Sequence, residues 1–350
     1  VSIPRATGVV VRTTEHAPAN AKAGMNASSP TVVVLHDGNH PPAMTDVERL
    51  ATVRYATEDT LAESLGGADV LFVWHFLSEA VSEAFSAADE LRWIHVASAG
   101  VDRLLFDALR DSEVVVTNSR GIFDRPMAEY VLTTVLALAK DLHTSVRLQD
   151  HKRWQHRETE RIEGKKALVV GTGPIGRAIA TQLSAAGLSV VGAGRTSRAE
   201  DPDFGYVHAS EALHEVVGEF DYVVLAAPLT ESTRGMIDAE MLARFRPSAR
   251  LINVGRGQLV VQEDLVEALV AGTIAGAALD VFDVEPLPED SPLWEMDNVL
   301  VSPHMSGDTL GWTEELVALF TTNLAGYAAD DRLRNVVDKH RGYVSGSESI

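Results

Sequence analysis

The run "ALVVGTGPIGRAIATQL", from Ala167 to Leu183, constrains the fold more than any other part of this chain. Apolar residues pass directly into Gly171-Thr172-Gly173-Pro174-Ile175-Gly176, and a helical pattern begins at once. A strand that turns straight into a helix uses a first glycine for the tight turn. A second lets backbone approach a pyrophosphate, and a third lets helix and strand pack closely. The helix N-terminus then offers unpaired N–H groups and the positive end of its dipole to phosphates. The bland alternative is a simple tight turn. The strand before, the helix after and the strand beyond all favour dinucleotide binding.

The loop sits inside an alternating series. Candidate strands are "KKALVV" (165–170), "LSVVGA" (188–193), "DYVVLAA" (221–227), "ARLINV" (249–254), "AGAALDV" (275–281) and "NVLVSP" (298–303), with helical stretches between them. Six such strands predict a doubly wound dinucleotide fold. An earlier series, "TVVVLHD" from Thr31, "DVLFVW" (69–74), "LRWIHVA" (91–97) and "EVVVTN" (113–118), predicts a second parallel sheet. Between the two series, Met127, Tyr130, Val131, Thr134, Val135, Leu138 and Leu142 predict one long helix from about Pro126 to Leu148. A last helix is expected from about Leu310 to Tyr327, with tails at 1–30 and 341–350. Met25 is a possible natural start.

Composition excludes several classes. There is no cysteine, hence no disulfide framework and no thiolate site. No apolar run approaches the roughly 18 residues of a membrane span, and "TGVVV" is too short for a signal-peptide core. A cytoplasmic protein is expected. The net charge of −20, carried by 50 acidic and 30 basic residues, is spread along the chain and reads as salt adaptation. Nucleic acid is a poor partner for such a surface. His36-Asp37-Gly38-Asn39-His40 reads as a polar loop, since no second ligand set has metal-site spacing.

About twenty residues after the glycine loop, an NAD-binding fold usually presents Asp or Glu to the adenine-ribose hydroxyls. Here the chain gives Gly194-Arg195-Thr196-Ser197-Arg198. No carboxylate repels a phosphate. Arg195 offers a planar fork of donors to a 2′-phosphate, and Thr196 and Ser197 add hydroxyls. An exposed basic turn is the competing reading. NADP(H) preference is expected, with NAD(H) possible.

Three later segments end predicted strands: "NVGRGQLV" (253–260), "LDVFDVEPLP" (279–288) and "SPHMSG" (302–307). Ligands bind at the carboxyl ends of strands in open α/β sheets, which brings Arg256, Glu285 and His304 forward as candidates. Together with "SAGVDRLLFDAL" (98–109), "VVVTNSRGIF" (114–123), "PMAEYVLTTVLALAK" (126–140), "APLTESTRGMI" (227–237) and "DSPLWEMDNVLVSPH" (290–304), the chain closely resembles the D-isomer-specific 2-hydroxyacid dehydrogenases. The ordered matches cover nearly all of residues 31–335.

The resemblance implies that Arg256 binds the substrate's carboxylate and carbonyl oxygen. It implies that His304 gives or takes the proton on that oxygen, and that Glu285 hydrogen-bonds the histidine. The chemistry agrees: hydride arriving at a ketone builds charge on oxygen, so a cation and an acid belong there. The resemblance places the backbone of Ser98, Ala99 and Gly100 near the substrate carboxylate and Asp280 near the nicotinamide carboxamide. Cofactor contacts are further implied for Gly171, Gly173, Pro174, Ile175, Gly176, Arg195, Thr196, Ser197, Ala227, Pro228, Thr233, Val254, Gly255, Ser306 and Gly307, and for Arg256 and His304 beside their substrate roles. The loop "WHFL" (74–77) is either a substrate-side loop or core.

The implied architecture is a Rossmann-type nucleotide domain (122–306) and a flavodoxin-like substrate domain (31–121 with 307–340). Both are doubly wound parallel sheets, with the active-site cleft between them. A homodimer through the nucleotide domain is implied too. The expected activity is NADP(H)-dependent reduction of 2-keto acids to D-2-hydroxy acids, with glyoxylate or hydroxypyruvate as alternative substrates. Formate dehydrogenases lack the partner that Glu285 supplies. A dinucleotide-sensing, co-repressor-like module of the same fold keeps the same three residues and stays open as a different class of function.

Overall fold

The computed structural model describes residues 29–344 and contains two large sheets. The first is built from β1 (Thr31–Leu35), β2 (Thr52–Ala56), β3 (Val70–Val73), β4 (Trp93–Val96) and β5 (Val115–Thr117), in the order β2-β1-β3-β4-β5 with every pair parallel. That is the flavodoxin-like winding. The sequence reading missed β2. Its burial alternates and Arg54 interrupts its apolar residues, as suits an edge strand that needs only one covered face.

The second sheet holds β6 (Lys166–Val170), β7 (Ser189–Gly194), β8 (Arg198–Asp201), β9 (Gly205–Ala209), β10 (Tyr222–Leu225), β11 (Arg250–Asn253), β12 (Gly276–Leu279) and β13 (Val299–Val301). Its order is β13-β12-β11-β10-β6-β7-β9-β8. The six expected strands are present, wound outward from β6 in both directions as in a dinucleotide fold. Their continuous apolar runs follow from burial on both faces. Leu168 and Val170 enter one core cluster, while Ala167 and Val169 enter the opposite one. Each fully buried valine or leucine contributes about 1.5–3 kcal/mol. The short strands β8 and β9 were not expected, and β8 runs antiparallel to β9 at the sheet edge. β8 begins at Arg198, so the expected cationic turn is shorter than it looked and ends in a strand.

The predicted long helix is instead two, Asp124–Ala139 and Leu142–Asp150. Asp141 between them is left-handed, with φ 48°. Arg157 holds it there, donating from Nε to Asp141 Oδ2 at 2.6 Å and from an η nitrogen to the Asp141 carbonyl at 3.1 Å. The first helix buries Ala128, Val131 and Val135 on the second sheet, against the helix Pro174–Ala185. The second buries none of its residues, and Leu142 and Val146 are more than half exposed.

The closing helix Trp312–Ala328 returns to the first sheet, where Phe320 stacks on Phe72 at 4.1 Å and on Trp93 at 5.3 Å. The chain then forms a hairpin of β14 (Val337–Asp338) and β15 (Tyr343–Val344). The expected tail from residue 341 therefore starts within a paired hairpin, which Lys339 anchors by donating to the Leu109 and Val114 carbonyls. Nearly all of the expected N-terminal tail, including Met25, lies outside the described residues. No helix among the described residues is long and apolar enough to cross a membrane.

Candidate active site

The glycine loop has the geometry that its three glycines require. Gly171 adopts φ 110°, and a Cβ there would stand 2.5 Å from the Ala226 carbonyl carbon. A Cβ on Gly176 would fall onto the Gly171 carbonyl oxygen, so the third glycine lets the helix seat against the strand. Gly173 has nothing within 4 Å of its Cβ position, so backbone there faces open space. Gly173 also precedes the helix Pro174–Ala185 in extended conformation, with Pro174 first and no side-chain cap on the free N–H groups. The loop therefore fits a pyrophosphate. Ile175 packs half-buried against the core.

The neighbouring strand ends supply the other expected segments. Ala227 and Val254 are buried after β10 and β11. A Cβ on Gly255 would press on the Ala227 carbonyl oxygen at 3.0 Å, so these two segments adjoin. Thr233 closes its own turn, donating to the Pro228 carbonyl at 2.8 Å. Buried Asn253, which the sequence reading passed over, shapes the turn after β11. Its Oδ1 accepts from the Gly255 N–H at 3.1 Å and its Nδ2 donates to the Arg256 carbonyl at 2.9 Å.

That turn carries Arg256 onto the end of β4. The guanidinium lies so close to Gly100 that a Cβ there would overlap it. The Ser98–Gly100 segment is itself fixed, by Ser98 Oγ on the Gly100 carbonyl and Asn118 Nδ2 on the Ala99 carbonyl, both at 2.6 Å. Asp102 completes the contact. Arg256 Nε donates to its two oxygens at 3.1 and 3.2 Å, and an η nitrogen lies 3.0 Å from Oδ1. Asp102 was not among the expected site residues. It stands inside the "SAGVDRL" segment, but its partner is 154 positions away.

His304 follows β13 with φ 50°, a left-handed conformation for a residue with a Cβ. Asp280 holds this loop. Fully buried, it accepts from Ser302 Oγ at 2.6 Å, from the Met305 N–H at 3.0 Å and from the Ser306 N–H at 2.9 Å, while its carbonyl accepts from the His304 N–H at 2.8 Å. Tyr130 hydrogen-bonds Ser302 from the helix Asp124–Ala139. The structure thus gives Asp280 a tethering place beneath the loop, and Ser306 and Gly307 are buried beside it. His304 Nδ1 lies 2.8 Å from Glu285 Oε2, and Nε2 has no hydrogen bond among the described residues. Burial pushes the Glu285 carboxyl up. The hydrogen bonds from His304 and from the Phe282 N–H, and the charges of His304 and Arg256, outweigh it and hold the group below the ordinary glutamate range. Arg256, Glu285 and His304 are therefore brought together.

Arg195, Thr196 and Ser197 are exposed at the end of β7. The Arg195 guanidinium carbon stands 5.0 Å above the ring of Tyr343, across from its own sheet. Arg198 is committed elsewhere, to Asp201 at 3.2 Å and to Thr172 Oγ1 at 3.1 Å. Burial raises the Asp201 carboxyl, but Arg177 and Arg198 bring it down to about 2. In the His36 loop the rings of His36 and His40 lie 4.2 Å apart, and His40 stacks on Tyr55 at 4.6 Å. Among the described residues no cluster of His, Asp and Glu has the arrangement of a metal site. Phe76 of the "WHFL" segment packs against the first sheet's core, while Leu77 is 41% exposed.

Residues 132–306 match the family model described as the D-isomer specific 2-hydroxyacid dehydrogenase NAD binding domain. A glyoxylate reductase of Thermococcus onnurineus is 31% identical over 77% of this chain and 83% of its own. The D-isomer specific 2-hydroxyacid dehydrogenase of Xanthobacter autotrophicus, solved with NADPH and MES, is 33% identical, with a TM-score of 0.75 over 90% of this chain and 100% of its own. The NADPH-dependent glyoxylate/hydroxypyruvate reductase of Sinorhizobium meliloti, solved with NADP and sulfate, is 26% identical, with a TM-score of 0.75 over 90% and 100%. Likeness on this scale, joined to the glycine loop and to the His304–Glu285 pair, assigns the protein to the D-isomer specific 2-hydroxyacid dehydrogenase family, oxidoreductases acting on the CH–OH group of hydroxy acids.

Proposed function

We propose that this protein reduces short 2-keto acids to D-2-hydroxy acids with NADP(H). One observation carries the reading. His304 stands on Glu285 with Nε2 free, on the same side of the molecule as an arginine pressed to the Ser98–Gly100 backbone. A reduced nicotinamide supplies the hydride. Arg256 binds the substrate carboxylate through the η hydrogens that Asp102 and its own Gly255 carbonyl leave free, and draws charge onto the keto oxygen. His304, as imidazolium, gives its Nε2 proton to that oxygen, and Glu285 stabilises the cation until then. In the reverse direction His304 takes the proton back. The nucleotide unit is 122–306, and the substrate unit is 31–121 with 307–340, to which the paired strand Tyr343–Val344 attaches.

The NADP(H) preference rests on Arg195, Thr196 and Ser197, exposed where an acid would otherwise stand. The relatives solved with NADPH and NADP agree with it. Glyoxylate and hydroxypyruvate head the substrate panel because relatives carry those names. A homodimer belongs to the same reading. Leu136, Leu142, Val146 and the fully exposed Trp154 lie on and beside the two helices that follow the first sheet, and a partner copy would cover them. So does salt adaptation, read from the charge of −20.

The test is steady-state reduction of glyoxylate, hydroxypyruvate, pyruvate and 2-ketobutyrate with each cofactor, with chiral analysis of the product. Turnover of none of them, alongside tight dinucleotide binding, would favour a sensing module over an enzyme.

A further inference from the structure

We infer that Tyr343 is a specificity-determining residue: its ring holds Arg195 in place to read the 2′-phosphate, so that recognition is complete only when the two α/β units meet. The inference rests on the NADP(H) reading above and extends it to a part of the chain outside the nucleotide unit.

Arg195 is exposed at the end of β7, and a long side chain there has much rotamer freedom to lose on binding. No described residue gives it a hydrogen bond or a carboxylate, and its neighbour Arg198 is already committed to Asp201 and Thr172. What fixes it is a ring face, with the guanidinium carbon 5.0 Å from the Tyr343 centroid. Attraction between a cation and a π face does not consume the donors at the guanidinium edge. Arg195 is therefore oriented while its fork stays free for a phosphate.

Tyr343 is itself well placed to act as a platform. Its strand pairs back through Asp338, and Lys339 ties the hairpin to the first sheet through the Leu109 and Val114 carbonyls. Asn335 adds two donated bonds to the Asn118 and Arg120 carbonyls, at 3.2 and 2.8 Å. The tyrosine hydroxyl oxygen is buried with no hydrogen-bond partner among the described residues. A hydrogen bond within the fold therefore does not explain the residue, and its contribution is the ring. Because Arg195 belongs to one sheet and Tyr343 to the hairpin on the other, a 2′-phosphate that prefers the ordered Arg195 also favours the closed arrangement. By linkage, closure favours that phosphate to the same degree.

The experiment measures dissociation constants of NADPH, NADH, 2′,5′-ADP and ADP for the full chain and for Tyr343→Leu, Tyr343→Phe, Arg195→Ala and the double variant Arg195→Ala/Tyr343→Leu. Tyr343→Leu should weaken NADPH and 2′,5′-ADP about two- to thirtyfold and leave NADH and ADP alone. Tyr343→Phe keeps the face and should bind like the parent. The double variant should be no weaker than Arg195→Ala. Equal weakening of both cofactors by Tyr343→Leu, full additivity in the double variant, or a Phe variant as weak as Leu overturns the inference. A parent protein that binds 2′,5′-ADP no better than ADP overturns the NADP(H) reading and this inference with it. A phosphate preference lost in Arg195→Ala but intact in Tyr343→Leu leaves the reading standing and overturns only the role of Tyr343.

Discussion

The corner around His304 and the turn around Arg195 both belong to the proposed site, yet they are held in opposite ways. At His304 the supporting groups are buried and internal. Asp280 takes three donors from one loop, and Glu285 takes His304 and a backbone N–H. At Arg195 the side chains are exposed, and the contact that orients the cation comes from another part of the chain. Proton transfer fails with an ångström of misplacement, so its groups are built into strand ends and a saturated network. A phosphate must be reached from solvent, so its cation stays exposed and is oriented by a ring face that leaves the donors free. On the proposed reading, the cofactor choice lies where the fold has least at stake.

The largest break in this comparison should come from His304→Ala. Turnover should fall roughly 10²–10⁴-fold with NADPH binding unchanged. Turnover equal to the parent's would remove the histidine from the mechanism. At the other region, Arg195→Ala should cut kcat/KM for NADPH about ten- to a hundredfold while sparing NADH. Equal loss with both cofactors would make Arg195 a loop support. Gly194→Asp sharpens the same test. Its Cβ would stand 3.0 Å from Thr172 Oγ1, so Thr172 must give by a few tenths of an ångström, and the new carboxylate should repel the phosphate and accept from the ribose of NADH.

Asp102→Asn should raise KM for the keto acid about tenfold, since the guanidinium loses the carboxylate that orients it. An unchanged KM would mean that Gly100 and the Arg256 turn suffice. Glu285→Gln should lower turnover, because the imidazolium loses its anionic partner. It should also alter acid stability in a defined direction. The Glu285 carboxyl is held below its usual 4.5, so its contribution to the folded state is whole above that value and drains away as pH falls through the lowered one. Acid unfolding of parent and variant, followed by circular dichroism, should therefore converge below that range and separate above it. The smallest effect belongs to the surface charge. Molar KCl should raise the melting temperature and prolong activity, whereas full, long-lived activity in 50 mM salt would argue against salt adaptation.

How much of this was legible in the sequence depended on the range of the forces involved. Six of the eight strands of the nucleotide sheet showed because each reads as an apolar run that packs into the core clusters on the sheet's two faces. β2 and β8 did not show, since edge strands need no such run, and β9 did not because only Val207 of its five residues is buried. The break at Asp141 was hidden because Arg157, sixteen positions on, makes it. Among the candidate site residues, Arg256, Glu285 and His304 carried a motif at strand ends. Asp102 and Tyr343 carried none that singled them out, because each matters through a partner in a distant segment.

The path of the chain has a mechanical consequence. It leaves the first sheet after β5 to pack the helix Asp124–Ala139 on the second, and it returns after β13 to pack the helix Trp312–Ala328 on the first. The two halves are therefore joined by two strips of backbone rather than one. A single strip is a tether about which a body can tumble. Two strips lying side by side define an axle, and the easy motion left is a swing about the line between them. Gly307, in the second strip, packs against the ring of Phe123, in the first, so the two strips touch. Arg256 on Asp102 and Arg195 on Tyr343 join the same two halves through side chains, so a swing about that line would have to part both pairs together.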